Sequence, residues 1–170
     1  MSFECSIRDE AWEFDHIPIA ENEHIVSMLV GYDTDSGANV FVQAALTPYL
    51  DGEPEYSFWI LRRDPYTGHE QHFLSGIDVS RFISKSDRER ILTVVLAATK
   101  ELLETKRPKR VYRCTNDVAP PERALEKHYA VSRVFRDAGY EVTQSDDWYG
   151  KRVWLSEFVQ TAKHSKDAGR

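Results

Sequence analysis

The sequence predicts an α+β domain built on a mixed, mostly antiparallel sheet of about six to seven strands with two main helices. Three observations predict it. Short runs of strand-forming residues crowd the first half. The spacing of apolar residues switches to a helical period after residue 85. Short strand-like runs then return after each helical stretch, so helices and strands share one sheet.

In chain order, residues 25–32 (IVSMLVGY) and 39–46 (NVFVQAAL) are apolar and rich in β-formers. The turn-forming DTDSGA between them predicts a hairpin. Residues 55–63 (EYSFWILRR) put Tyr56, Phe58 and Ile60 on one face and Trp59 and Leu61 on the other. Two apolar faces predict a central strand covered on both sides. The turn DPYTG then leads into a fourth strand over residues 70–77.

Ser86 and Glu89 form an S-x-x-E capping box ahead of an apolar run. Ile91, Val94, Val95, Ala98 and Leu102 recur at helical spacing, predicting a helix over residues 87–105 that Pro108 stops. Residues 110–114 are a short strand. After Pro120 and Pro121, a stripe of Ala124, His128, Val131, Phe135 and Ala138 predicts a second helix with Gly139 just past its end. Residues 140–143 and 153–158 are the last strands, joined by a turn over 145–152 (SDDWYGKR). A strand, a long helix and another strand in that order predict a crossover within the same sheet.

Composition bounds the function classes. A chain of 170 residues, 41% hydrophobic and 12% aromatic, supports one globular core. The domain is read over residues 1–159, with a polar, flexible tail over 160–170. Cys5 and Cys114 form neither a disulfide framework nor a metal-type spacing. The acidic start MSFECSIRDEAWEF lacks the pattern of a signal peptide, and no apolar stretch reaches the ~18 residues of a membrane span. The expectation is a cytoplasmic protein without a membrane partner. A net charge of −6 argues against nucleic acid, which selects a cationic surface.

The element order resembles the core of the GNAT-type N-acetyltransferase superfamily. The local likeness runs through RVYRCTND and VFRDAGYEV. Asn116 stands at a strand end, and Phe135, Gly139 and Tyr140 fall at the spacing of the family's Y-x-x-x-G-F pattern. The resemblance implies an acetyl-CoA pyrophosphate loop, Q/R-x-x-G-x-G/A, at the start of the long helix, where glycines let backbone N–H groups meet phosphate. The matching segment, ISKSDRER at 83–90, has no glycine and carries Asp87 and Glu89. The family's general-acid Tyr falls at Phe135, which has no ionisable proton.

Those departures make the expected function a non-catalytic, GNAT-like protein that binds a macromolecular partner, another protein, and needs no cofactor. The alternative is a divergent acyl-CoA-dependent N-acyltransferase holding acetyl-CoA through Lys85, Ser86 and Arg88. The partner-binding residues are Trp148 and Tyr149, two large aromatics in a turn.

Other groups have plainer readings. His69 and His72 form an H-x-x-H pair, but residues three apart on a strand point to opposite faces, so no metal site is expected. His128 and Cys114 are a possible acid–base or nucleophilic pair, against a buried, hydrogen-bonded histidine. Asp146 and Asp147 read as turn carboxylates. Arg62, Arg63, Lys106, Arg107, Lys109 and Arg110 read as solvated charge, the last four at a helix end that favours cations.

Overall fold

Alternation in the first half of the chain becomes the floor of the core. In a computed structural model that describes residues 2–8, 12–21 and 23–159, strands β3 (Glu23–Asp33), β4 (Asn39–Pro48) and β5 (Pro54–Arg63) pair as an antiparallel meander. Val26, Val40, Val42, Ala44, Leu46, Tyr56 and Ile60 share one face and are buried together. Each such Val, Leu or Ile side chain contributes about 1.5–3 kcal/mol when fully buried.

Among the described residues nine strands form one open, mixed sheet whose main path runs β1-β3-β4-β5-β7-β9-β8, with β2 paired to β3 and β6 to β5 off that path. The others are β1 (Phe3–Cys5), β2 (Asp15–Ala20), β6 (Glu70–Phe73), β7 (Arg110–Cys114), β8 (Tyr140–Trp148) and β9 (Lys151–Phe158). Helix α1 (Gly76–Ser80) follows β6, α2 (Lys85–Lys106) precedes β7, and α3 (Glu122–Asp137) connects β7 to β8. Ile91, Val94, Val95, Ala98, Leu102 and Leu103 of α2 join Val131 and Phe135 of α3 in the same core. Both main helices therefore cover one face. Among the described residues no helix is long and apolar enough to cross a membrane.

Several local expectations need correction. Helix α2 starts two residues earlier than its apolar run implies. Its N-cap is Ser84, whose Oγ accepts the Asp87 amide at 3.1 Å, so the cap is S-x-x-D and not Ser86 with Glu89. The predicted strand over 70–77 ends at Phe73, because Ser75 caps α1 by accepting the Ile77 amide. The turn over 145–152 shrinks to Tyr149 and Gly150. Both have positive φ, 49° and 77°, the geometry of a tight hairpin turn that keeps the strands paired up to Trp148 and Lys151. Among the described residues no helix packs on the second face of β5. Leu61 is buried there between its register partners Phe41 and His72, and Trp59 stacks on the His72 ring. Residues 160–170, expected to be a tail, lie outside the described residues.

The crossover leaves a notch. β5 and β7 run parallel but share one register pair, Glu55 with Tyr112. Farther along the same edge of β5, Ile60 to Arg63 pair instead with β6. Between these contacts the edge of β5 around Phe58 meets side chains from α3.

Candidate functional site

The notch is walled by residues from both ends of the chain. Phe58 of β5 faces the His128 ring, centroids 5.8 Å apart, and the Lys127 Nζ lies 5.6 Å from the Phe58 centroid. His128 stacks on Trp154 of β9 at 5.2 Å. Beneath them Arg113 of β7 is 2% exposed, its guanidinium 4.9 Å from the Phe135 ring and 5.3 Å from Trp154. It donates to Ser132 Oγ at 2.7 Å, while its Nε has no partner. No carboxylate lies within ion-pair distance of Arg113 or Lys127 among the described residues.

Burial governs the proton affinities here. It lowers the His128 pKa to about 3, helped by the charges of Lys127 and Arg113. It lowers Arg113 to about 10 and raises Tyr56 to about 12. Lys127 is also lowered by burial, with Asp117 opposing the shift. At neutral pH His128 is a neutral ring whose affinity for protons is too weak for general-base work. Cys114, on the opposite face of β7 from Arg113, donates its thiol to Glu55 at 3.2 Å, and burial pushes it up to about 11. It does not meet His128.

The mouth of the notch is apolar and open to solvent. Ile77 of α1 is 66% exposed, Val118 64%, Trp148 52% and Tyr149 82%. The segments that carry these residues are tied to one another by hydrogen bonds. Ala119 donates its amide to the Gly150 carbonyl at 2.7 Å, and Ser75 Oγ reaches Asp117 at 3.4 Å. A Cβ at Gly150 would meet Val118 at 2.8 Å, so the hairpin tip and the 115–121 loop are in direct contact. The Trp148 and Tyr149 rings meet edge to face, 5.2 Å apart. The tip is further pinned by Asp147, which accepts two hydrogen bonds from Arg152 at 2.7 and 2.8 Å.

The other sequence candidates fall elsewhere. At the start of α2, Ser84 Oγ donates to the Asp87 carboxylate at 2.7 Å, and Ser86 Oγ lies 3.0 Å from Ser84 Oγ. Arg88 donates to the Ile83 carbonyl at 2.7 Å and Arg90 to the Ile7 carbonyl at 2.5 Å, while Lys85 sits 3.9 Å from Glu89. This helix end is capped by its own side chains. His72 stacks on Trp59, and His69 lies in the preceding turn with its amide on Thr67. No group of three His, Cys, Asp or Glu side chains is placed to hold a metal among the described residues. Arg62 is taken by Asp33, Arg63 by Glu70 and Arg110 by Glu157.

Sequence reasoning missed Lys127 and Arg113. Their distinction is that, among the described residues, neither has a carboxylate within ion-pair distance, which no local pattern announces. The chain matches no protein-family model and no curated relative.

Proposed function

We propose that this chain is a non-catalytic protein of GNAT-like order that acts in the cytoplasm by binding another protein through Trp148 and Tyr149. The observation that carries the reading is the hairpin tip itself. Two large aromatics stand in solvent on a backbone that β8, β9 and the 115–121 loop hold in place. An ordered aromatic pair of this size is costly to leave wet and is the usual composition of an energetic hot spot. Tyr149 also holds a positive φ that L residues other than Gly rarely adopt, a local strain of the kind found at functional positions. Val118 and Ile77 extend the patch.

The absence of a ready phosphate cradle supports binding over acyl transfer. Arg88 and Arg90 at the start of α2 are engaged with backbone carbonyls, and Asp87 would face an incoming diphosphate. Phe135 is buried in the core under Arg113 and offers no proton. Two free cysteines fit a reducing compartment.

The test pairs two measurements. A photo-cross-linker at Tyr149 should capture one identified protein whose recovery falls when Trp148→Ser is added. Recovery unchanged by Trp148→Ser would refute the tip as the binding surface. A thermal titration with acetyl-CoA should leave the melting temperature unmoved. Stabilisation growing with ligand would return the chain to the acyltransferases, with Lys85, Ser86 and Arg88 as the first residues to substitute.

A further inference from the structure

After α3 the chain turns at Gly139 and runs out along the margin of the sheet as β8. That strand stands last in the sheet path, with β9 as its one strand partner among the described residues. Every residue from Thr143 to Trp148 is exposed. In an antiparallel pair each second residue turns both its N–H and its C=O away from the partner, so β8 presents a row of backbone groups to solvent. The other open margins are blunted. β1 has three residues and β6 four, and β2 carries Pro18 with a register shift beside it. β8 has nine residues and no proline. Its charge is of one sign: Glu141, Asp146 and Asp147 lie along it with no lysine or arginine among them. Arg152 takes Asp147, while Glu141 stands opposite Glu157, which Arg110 holds. Glu141 and Asp146 have no ion pair among the described residues.

We propose that the outer edge of β8 receives an extended, basic segment of another protein as an added strand. Backbone hydrogen bonds along residues 140–145 hold the segment, and its side chains alternate in step with Glu141, Thr143 and Ser145 on one face and Val142 and Gln144 on the other. A lysine or arginine opposite Glu141 forms a cross-strand ion pair. Further cations meet Asp146, where the strand bulges between Ser145 and Trp148. A second copy of β8 is the wrong occupant, since it would bring three more carboxylates and no cation to the edge. β8 ends in Trp148, with Tyr149 next, so a segment laid on the edge leads directly to the two aromatics. The inference rests on the reading of this chain as a partner-binding protein, and it names the chemistry of the partner's segment.

The probes are fluorescein-labelled octapeptides, measured by anisotropy at low salt against the whole chain. One alternates lysine with valine, one lysine with proline, and one glutamate with valine. The lysine–valine peptide should bind tighter than the other two by about tenfold or more, because proline has no N–H to give a strand edge and glutamate meets like charge. Equal affinity of the two lysine peptides means attraction by charge alone and overturns the inference, as does a lysine–valine peptide that does not bind. Hydrogen exchange locates the peptide. Amides within residues 140–145 should slow when it is added, and binding that leaves them unprotected also overturns the inference. Glu141→Lys should weaken the lysine–valine peptide by about threefold or more, and an unchanged affinity overturns the basic partner. Protection over 140–145 reports the edge and capture at Tyr149 reports the hairpin tip, so either reading can fail with the other standing.

Discussion

The imidazole of His128 lies parallel to the indole of Trp154, their centres 5.2 Å apart and their planes 9° from coplanar. Phe58 lies 5.8 Å from the His128 ring, and Lys127 and Arg113 bring positive charge to the same place. A protonated imidazole here would lose water and meet two cations. The stack therefore belongs to the neutral ring.

That preference sets an acid sensitivity. The folded pKa of about 3 lies below the ordinary value of 6.5, so the unfolded chain binds the extra proton as pH falls between them. His128 stability is complete above 6.5 and declines as pH drops toward 3, by at most about 1.4 kcal/mol per pH unit. His24, also lowered by burial, acts with the same sign. Urea midpoints measured from neutral pH downward should fall, and His128→Phe should flatten that decline. A decline of the same slope in His128→Phe would remove the ring from the account.

The true N-cap of α2 is separable from its neighbour. Ser84→Ala deletes the hydrogen bond to the Asp87 amide and should cost about 1 kcal/mol. Ser86, inside the first turn, should tolerate Ala within about 0.5 kcal/mol. Denaturant unfolding of the two variants decides between them, and equal losses would contradict the cap assignment.

How much was legible follows from the kind of signal each element carries. Residues 25–32, 39–46 and 55–63 were readable because each is a run of apolar, β-forming residues bounded by turn residues, and α2 because Ile91, Val94, Val95, Ala98 and Leu102 recur on one face. β2 was missed because all six of its residues are exposed and Pro18 interrupts it, leaving no period to read. α1 was hidden because Leu74 and Ile77 look like strand residues, and the Ser75 cap that bends the chain is a single side chain. The buried residues of α3, Leu125, Ala130, Val131, Ser132 and Phe135, share Val131 and Phe135 with the predicted stripe, and Ser132 accepts from Arg113. Trp148 and Tyr149 were visible as aromatics beside a glycine. The contact of Lys127 with Phe58 was not, because the two come from separate segments of the chain.

Tyr56 and Thr99 form a buried polar pair whose two halves should respond unequally. The Tyr56 hydroxyl donates to Thr99 Oγ1 at 2.5 Å, and Thr99 passes its own proton to the Val95 carbonyl at 2.7 Å. Thr99→Val leaves a buried phenol without an acceptor and should cost about 1–3 kcal/mol. Adding Tyr56→Phe removes the orphan and should recover part of that loss. Stability of the double variant below that of Thr99→Val would show that the pair is not coupled in this way.

Tyr149 tests whether strain is kept for function. Its φ of 49° sits in the left-handed region, which costs a side-chain-bearing residue about 1–2 kcal/mol relative to Gly. The ring recovers part of that through Trp148, since edge-to-face pairs contribute about 0.5–1.5 kcal/mol. Tyr149→Gly gives a Gly-Gly turn with Gly150 and should leave the melting temperature unchanged or raised. It should nonetheless abolish capture of the partner. Tyr149→Ala keeps the strain and loses the ring contact, so it should be less stable than both. Calorimetry on the three chains checks the order, and a Tyr149→Gly chain that melts well below the parent would mean that the tyrosine is held for the fold and not for a partner.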